Sequence, residues 1–505
     1  MKKVIAWDLG TGGNKASLYD MDGVCVDSVF VPYNTYYGQR GWHEQEPEDW
    51  WKAVAGSTQM LLARSKTKAE DIFCCSISGH SMGVVPVDKA GNLLMRRTPI
   101  WSDMRAEKQV LDFFIKTDEK KWYLKTGGGF TPMCYSVFKI NWLKENAAEV
   151  YRRAFKVLGT KDYILLKLTG RFCTDYSYAS SSGVWDLEKW QYSDELLRAA
   201  ELDAALFPEA VASASVIGRV GKRAAAEMGL SPGVYVAAGG VDDACMALGA
   251  MAFKEGRAYA SLGSSPWIAL ATRFPLTDVA ARPYTFAHVV PGMFVSALCS
   301  ASGGSAFRWI REQLCRDIKA KDGNAYDQMV KEAAAVPPGA NRLVFNPSLA
   351  GGMPIDGSYK VRGGFVGLDL LHTRADLIRA AMEGVAMSLE KCLAKLRTLS
   401  RVEEPLLLTG GGSKSVVWRQ IFADVFGSAV SKSNVDEQAA ALGAAACALV
   451  GSGCWRDFSK IDALHTGRKI SEPVFENRVV YKRMMEVYER AADHLSELGE
   501  MLAKI

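Results

Sequence analysis

The sequence predicts an α/β protein of two domains, and three observations carry that expectation. A strand-rich opening folds back around a glycine-rich turn at residues 8–13. A second glycine-rich turn, 239–243, ends a strand near the middle, and a third, 409–413, ends another towards the C-terminus. Each half thus begins a sheet with a turn of the size that holds a phosphate. The boundary is expected near residue 250, giving domains 1–250 and 251–505, with no Pro/Gly-rich linker to mark it.

Taken in order, residues 4–7 (Val-Ile-Ala-Trp) read as a strand and 15–19 as a second. After the turn Met21-Asp22-Gly23, residues 24–30 form a third, so the opening is a β-meander. A helix is expected over 47–63, with Glu48 and Asp49 in the first turn, where the helix dipole favours acids. Residues 72–77 form a strand leading to a loop at 78–83. The stretch 103–203 reads as mostly helical, with a turn at 127–129. Residues 234–238 are a strand before a helix-like Ala/Met/Leu run. Strands at 257–261 and 267–271 flank the loop 262–266. Residues 406–408 are a strand, and a helical pattern continues through Trp418 to Phe426.

The 505 residues suit two large domains or about three of roughly 150 residues. Apolar residues at 49% and charged ones at 23% are those of a folded globular chain. Sixty-one Lys and Arg against 56 Asp and Glu leave a net charge of +5, spread along the chain, which is no nucleic-acid footprint. The cysteine count, 11, is odd and lacks any CxxC, so neither a disulfide framework nor a zinc ribbon is indicated. Unpaired thiols fit a reducing cytoplasm, the expected location. The longest apolar run, 439–451, is shorter than the ~20 residues of a membrane span. Asp8 follows only four apolar residues, too soon for a signal peptide.

The run Asp8-Leu9-Gly10-Thr11-Gly12-Gly13-Asn14-Lys15 is the most informative. Glycines let backbone N–H groups approach an anion, and Thr11, Asn14 and Lys15 add donors. Asp8 at the strand end can hold magnesium, directly or through water. GxxxxGK[ST] is absent and no helix follows, so this is neither a Walker A loop nor the GxGxxG of a βαβ unit. The strand–turn–strand context suits the phosphate hairpin of actin-like ATPases. On the motif alone a plain glycine-rich hairpin is an equal reading.

Gly239-Gly240-Val241-Asp242-Asp243 places two carboxylates at a strand end. One of them can accept the proton of a hydroxyl attacking a phosphoryl group. In isolation, however, Gly-Gly-x-Asp is more often a helix N-cap. Gly410-Gly411-Gly412-Ser413 can bring backbone close to a nucleotide, and in isolation reads as a connection with Ser413 as N-cap. Asp103 and Arg105 offer a carboxylate and a guanidinium on one turn, with a surface ion pair as the alternative. His80 lies in a glycine-bounded loop; it can contact a ligand, but a hydrogen-bonded structural histidine is the favoured reading. The cysteines and tryptophans read as core.

Together and in this order, these segments resemble the FGGY family of carbohydrate kinases over essentially the whole chain. Asp8-Leu9-Gly10-Thr11 is similar to its first phosphate motif, and Gly41-Trp42-His43-Glu44-Gln45-Glu46-Pro47-Glu48-Asp49-Trp50-Trp51 to its early acidic stretch. Phe138-Lys139-Ile140-Asn141-Trp142-Leu143 resembles one signature, followed by Lys161-Asp162-Tyr163 with Leu168-Thr169-Gly170. Gly364-Phe365-Val366-Gly367-Leu368 with Asp376, Leu377 and Glu383 resembles the second signature. Thr409-Gly410-Gly411-Gly412, Trp418-Arg419-Gln420 and Ala423-Asp424 resemble the adenosine-side motif. Among the family's groups the likeness is greatest to the xylulose kinases.

The resemblance implies two actin-like (ribonuclease H-like) domains with ATP and a sugar meeting between them. It implies Asp242 as catalytic base and Asp8, Gly10, Thr11, Gly12 and Lys15 near the transferred phosphate and its Mg2+. Gly263 and Ser264 stand in the second phosphate loop, where Ser264 replaces the usual Thr and keeps a hydroxyl. Gly304, Arg308, Gly411 and Ser415 stand at nucleotide-facing positions, and Asp243 and Trp267 at positions that line the sugar side, with Asp103 and Arg105 as further substrate candidates. Xylulose kinases usually read Gly-Gln-Met-His-Gly where this chain has Gly79-His80-Ser81-Met82-Gly83. Ser81 and Met82 are therefore expected to face the sugar and to alter its choice. The implied function is ATP-dependent phosphorylation of a ketopentose, D-xylulose or a close relative. A tetrulose, sugar acid, glycerol or other polyol remains as acceptor, and a non-catalytic nucleotide-dependent sensor as the rival from another class. The implied partners are a small sugar and ATP, with neither nucleic acid nor membrane; a homodimer is left open.

Overall fold

The computed structural model describes residues 1–318 and 324–505. Strands β1 (Lys3–Gly10) and β2 (Gly13–Asp20) form an antiparallel hairpin in which Asp8 faces Lys15, Leu9 faces Asn14 and Gly10 faces Gly13. Only Thr11 and Gly12 remain for the turn. Asp8 and Gly10, expected within a turn over 8–13, thus lie in the strand, because ladder pairing continues to the tip. Gly13 permits this closeness: a Cβ there would sit 2.5 Å from the Phe30 ring and 2.6 Å from the Val31 carbonyl of β3 (Cys25–Pro32).

Helix α1 (Pro47–Ser65) opens with Pro47, carries Glu48 and Asp49 in its first turn, and ends where Lys66 turns left-handed. Its buried Trp50, Val54 and Leu61 pack on Ile5, Trp7 and Leu18 of the sheet. Strand β4 (Ile72–Gly79) runs parallel to β1, placing Ser78 opposite Asp8. Residues 103–203 are largely helical, as expected. They fold with residues after β4 around a separate core that includes Met82, Val84, Trp122, Tyr135 and Phe138. Strands β5 (Val216–Arg219) and β6 (Tyr235–Ala237) complete the sheet order β5-β6-β4-β1-β2-β3. The two-residue β7 (Gly240–Val241) extends along β4, with Gly240 opposite Ser78. Helix α2 (Asp242–Gly249) follows at once.

The second sheet contains β8 (Ala258–Ser261), β9 (Trp267–Thr272), β10 (Tyr284–Ala287), β11 (Phe294–Cys299), β12 (Leu406–Thr409), β13 (Val430–Lys432) and β14 (Lys469–Ser471). Its order is β10-β11-β9-β8-β12-β13-β14. Here β8, β9 and β11 are antiparallel neighbours, and β12 and β13 run parallel on the far side of β8. The first sheet has the same plan: β1, β2 and β3 antiparallel, then β4 and β6 parallel beyond β1. Two domains of one actin-like, ribonuclease H-like topology result. Helix α3 (Arg374–Leu399) backs the second sheet, and α4 (Val416–Phe426) follows β12.

Helix α5 (Ala439–Gly451), the longest apolar run, lies between the domains. It packs on β1, β4 and α2, in a core that joins Val4 and Ala6 of the first sheet to Tyr259 and Ala269 of the second. Burying a leucine such as Leu248 or Leu449 there contributes roughly 1.5–3 kcal/mol. Small residues bring α2 and α5 into backbone contact. A Cβ on Gly249 would lie 1.9 Å from the Ala439 carbonyl oxygen, and one on Gly443 2.0 Å from that of Cys245. All eleven cysteines are free; Cys25, on the outer strand, is exposed, unlike the buried thiols that the sequence reading expects. No helix among the described residues is long and apolar enough to cross a membrane.

Candidate active site

Asp8 and Asp242 flank the C-terminal end of β4. Ser78, on that strand, donates to Asp8 Oδ1 at 3.2 Å. On the other side β7 delivers Asp242 as the first residue of α2, while Val241 is the N-cap. Asp242 is therefore not the cap that Gly-Gly-x-Asp suggests in isolation; its Oδ1 accepts the Asp243 N–H at 3.1 Å. Gly239 makes the approach possible, with φ of +67° and its missing Cβ 1.9 Å from the Ile77 carbonyl oxygen.

Burial, then the neighbouring charges of Asp243 and Asp8, push the Asp242 carboxyl well above the usual carboxylate range. Burial raises Asp8 too, opposed by Lys15 and by the Ser78 hydrogen bond. Burial pushes Asp243 up to about 6. Burial, and then the charges of Asp8 and Asp242, raise the Tyr33 phenol, whose hydroxyl donates to the Gly10 carbonyl. The site thus carries crowded negative charge, an arrangement that favours cations. Among the described residues no three His, Cys, Asp or Glu side chains converge to hold a metal. A Mg2+ here would need oxygens from a nucleotide besides Asp8, which fits the usual manner of Mg2+ binding in phosphoryl-transfer sites.

The hairpin tip holds Gly10, Thr11 and Gly12. Trp101 Nε1 donates to Thr11 Oγ1 at 2.9 Å, and Gln45 Nε2 donates to the Thr11 carbonyl at 2.7 Å. Asn14 departs from expectation. Strand alternation turns it away from Lys15 and into the layer beneath α1, where it is fully buried and donates to Ser57 Oγ at 2.9 Å.

Gly263, Ser264, Gly304, Arg308, Gly411 and Ser415 all line one cavity of about 670 Å³ in the second domain, with Trp418 among its apolar walls. The Gly304 N–H donates to the Gly263 carbonyl at 2.9 Å, and Arg308 donates to Ser264 Oγ at 3.2 Å. A Cβ on Gly304 would stand 2.6 Å from that Gly263 oxygen. Asp436 Oδ1 accepts the Gly410 N–H at 2.7 Å and fixes the third glycine turn. The cap of α4 is Ser415, which accepts from the Trp418 N–H at 3.1 Å; Ser413, the expected cap, is buried and donates to the Gly410 carbonyl. Asp8, the hairpin tip and Asp242 do not line this cavity.

Around Asp243, Trp267 Nε1 donates to the Tyr259 hydroxyl at 3.2 Å, and Phe130 stacks on Tyr284 with ring centroids 4.2 Å apart. Asp243 is one cause of the raised pKa of both Tyr259 and Tyr284. Asp103 and Arg105 form a buried pair instead of a surface one. Arg105 binds both Asp103 oxygens, reaches Glu44 at 2.7 Å and lies over Trp42, 3.7 Å from the ring centre. Ser81 and Met82 are also buried. Met82, at φ of +56°, packs into the helical-subdomain core, so its side chain fills apolar space instead of facing an open sugar pocket. His80 is buried edge-on to Trp50 with neither ring nitrogen hydrogen-bonded, unlike the satisfied structural histidine expected. Burial pushes its pKa down to about 3, so the ring is neutral at pH 7.

Tyr33, Gln45, Asp436 and Phe130 escaped the sequence reading because each acts through a partner distant in the chain. Gln45 lies within the acidic stretch 41–51, which gives it no particular role, and the others are polar or aromatic residues outside any motif.

Two ribonuclease H-like domains, with a glycine-lined nucleotide-sized cavity and a carboxylate pair flanking the end of a central strand, define the class of actin-like phosphotransferases. The chain belongs to the FGGY family of carbohydrate kinases, matching its N-terminal domain over residues 3–249 and its C-terminal domain over 258–452. It is 28% identical to a xylulose kinase of Bacillus subtilis over 507 aligned positions, 99% of each chain. It is also 28% identical to a gluconokinase of the same organism, covering 95% of this chain and 94% of that one. A solved ligand-bound xylulose kinase from Lactobacillus acidophilus superimposes with a TM-score of 0.90 at 25% identity, covering 98% of both chains. The protein is a sugar phosphotransferase, and ATP is the phosphoryl donor of its family.

Proposed function

We propose that this kinase phosphorylates a neutral ketopentose, D-xylulose or a close relative, with Asp242 as the base. The observation that carries the choice of a neutral acceptor is the crowding of three carboxylates, Asp8, Asp242 and Asp243, with Asp243 and Asp8 both acting on Asp242. Arg105, by contrast, is already ion-paired with Asp103 and Glu44. A sugar acid would bring its carboxylate towards those three like charges, at a cost that a neutral sugar avoids.

In this reading Asp242 accepts the proton of the acceptor hydroxyl as that oxygen bonds to the γ-phosphorus. The bond from the γ-phosphorus to the β–γ bridging oxygen breaks, and ADP leaves. The cavity holding Gly263, Ser264, Gly304, Arg308, Gly411 and Ser415 would take the nucleotide, and the tip with Gly10, Thr11, Gly12 and Lys15 the transferred phosphate. Asp243 and Trp267 would border the acceptor. Asp8 would face Mg2+, which, bound with ATP, neutralises phosphate charge. A reducing cytoplasm fits the free thiols.

ADP production measured across pentuloses, tetruloses, hexuloses, polyols and sugar acids tests the reading. D-xylulose is expected to exceed gluconate in kcat/KM by about a hundredfold, the scale of a mismatched polar group in a closed site. Preference for gluconate would overturn the neutral-acceptor assignment, and ADP release independent of sugar would overturn the sugar-kinase role of this site.

A further inference from the structure

The turn that delivers Asp242 is gripped from beneath by a buried polar network. Lys161, on the helix Thr160–Thr169, is fully buried, and its ammonium lies 2.8 Å from Asp162 and 2.9 Å from Asp175. The same nitrogen donates to the Ala238 carbonyl at 3.3 Å. Asp175 Oδ2 accepts the hydroxyls of Ser177 and Ser213. Ser213 uses its carbonyl to accept the Gly239 N–H at 2.9 Å. Ser177 Oγ in turn accepts the Val241 N–H at 2.9 Å.

The direction of these bonds matters. A serine hydroxyl has one proton, and here Asp175 takes it, leaving the Ser177 oxygen as a pure acceptor towards Val241. Val241 is the N-cap of α2, so its N–H belongs to the residue just before Asp242. Gly240 lies against the same oxygen, a Cβ there being 3.0 Å from Ser177 Oγ. Lys161 pairs with Asp162 and Asp175 together and holds Asp175 in place, since a carboxylate buried without a cation would be costly.

We propose that Ser177, oriented by Asp175 and Lys161, is a positioning residue that sets the Asp242 carboxylate for proton transfer. The inference rests on the assignment of Asp242 as base. Losing the Ser177 oxygen would free the Val241 N–H and let the first turn of α2 shift, and displacements of about 1 Å at a reacting group can cost up to about a hundredfold in rate.

Ser180 supplies a matched control. It is buried on the same short helix, Tyr176–Ser180, donates to the Ser177 carbonyl at 2.7 Å and accepts the Ala287 N–H at 3.0 Å, but makes no hydrogen bond to residues 239–242. In the full-length enzyme with Mg·ATP and D-xylulose, Ser177→Ala is expected to lower kcat about ten- to a hundredfold while KM for ATP stays within about twofold. Ser180→Ala is expected to lose comparable thermal stability but to keep kcat within about threefold. Should Ser177→Ala not fold, Ser177→Cys, a weaker acceptor of similar size, takes its place in the comparison. Equal kcat losses in the two serine variants, or wild-type turnover at 177, would overturn the positioning role. Asp242→Asn separates the two readings. Its loss of turnover beside an active 177 variant defeats the positioning role alone, whereas an active Asp242→Asn defeats the base assignment and the positioning role with it.

Discussion

Lys15 stands directly opposite Asp8 across the first hairpin, yet its ammonium is hydrogen-bonded to the Glu437 carbonyl of the other domain, at 2.6 Å. Asp8 is left with the Ser78 hydroxyl as its hydrogen-bond donor, and its carboxyl is raised by burial. An acid with a raised folded pKa destabilises the fold once pH exceeds that value, and the protein tolerates this at a position where a bound cation would remove the cost.

Asp8→Asn is accordingly expected to raise the Mg2+ concentration needed for half-maximal turnover by about tenfold or more, the loss of one carboxylate from a site of few protein ligands. The melting temperature at pH 7 should not fall, since a buried charge is removed. Titrating activity with Mg2+ and comparing melting curves checks both halves. Unchanged Mg2+ dependence would reduce Asp8 to a strand residue.

Asp243 supplies a pH test. Its carboxyl is pushed up to about 6, above the ordinary ~3.9 of an unfolded aspartate. The folded chain therefore binds the proton more tightly, and its stability falls as pH rises from about 4 through 6 and stays lowered above that. Asp243→Asn should raise the melting temperature at pH 8 and leave it unchanged at pH 3, measured by calorimetry. Because Asp243 is also the largest charge effect on Asp242, the variant should move the acidic limb of the kcat–pH profile to lower pH. A limb moving upward would refute the like-charge coupling.

Adjacent glycines of the third turn should respond oppositely to alanine. Gly411 has no atom within 4 Å of where a Cβ would stand and lines the cavity proposed for the nucleotide, so Gly411→Ala should keep the melting temperature and raise KM for ATP by about tenfold. Gly410 has φ of +83° and a Cβ site 3.1 Å from Leu262 backbone atoms. Gly410→Ala should therefore cost about 1–2 kcal/mol or more of stability. Chemical denaturation and ATP kinetics on both variants decide this, and similar behaviour of the pair would show that the turn is misread.

The fold was legible in the sequence where local pattern and tertiary role agree. The opening meander, α1 and the strands around 262–266 follow from alternation, an acidic first turn and glycines that must bend. The six positions assigned from their motifs to the nucleotide side line one cavity. Legibility ended where a side chain's direction depends on strand phase or on distant partners. Asn14 sits beside Lys15 in the chain but on the opposite face of the hairpin. Met82 replaces a polar residue of a recognisable loop, yet the fold around it closes into apolar core. The contact between Ser177 and Val241 joins residues 64 positions apart and has no local signature.

The crossing of α2 and α5 has a mechanical consequence. Gly249 rests against the Ala439 carbonyl and Gly443 against that of Cys245, so the domains meet there on bare backbone. The crossing has no slack, so enlarging either glycine would wedge α2 from α5 and loosen both sheets at once.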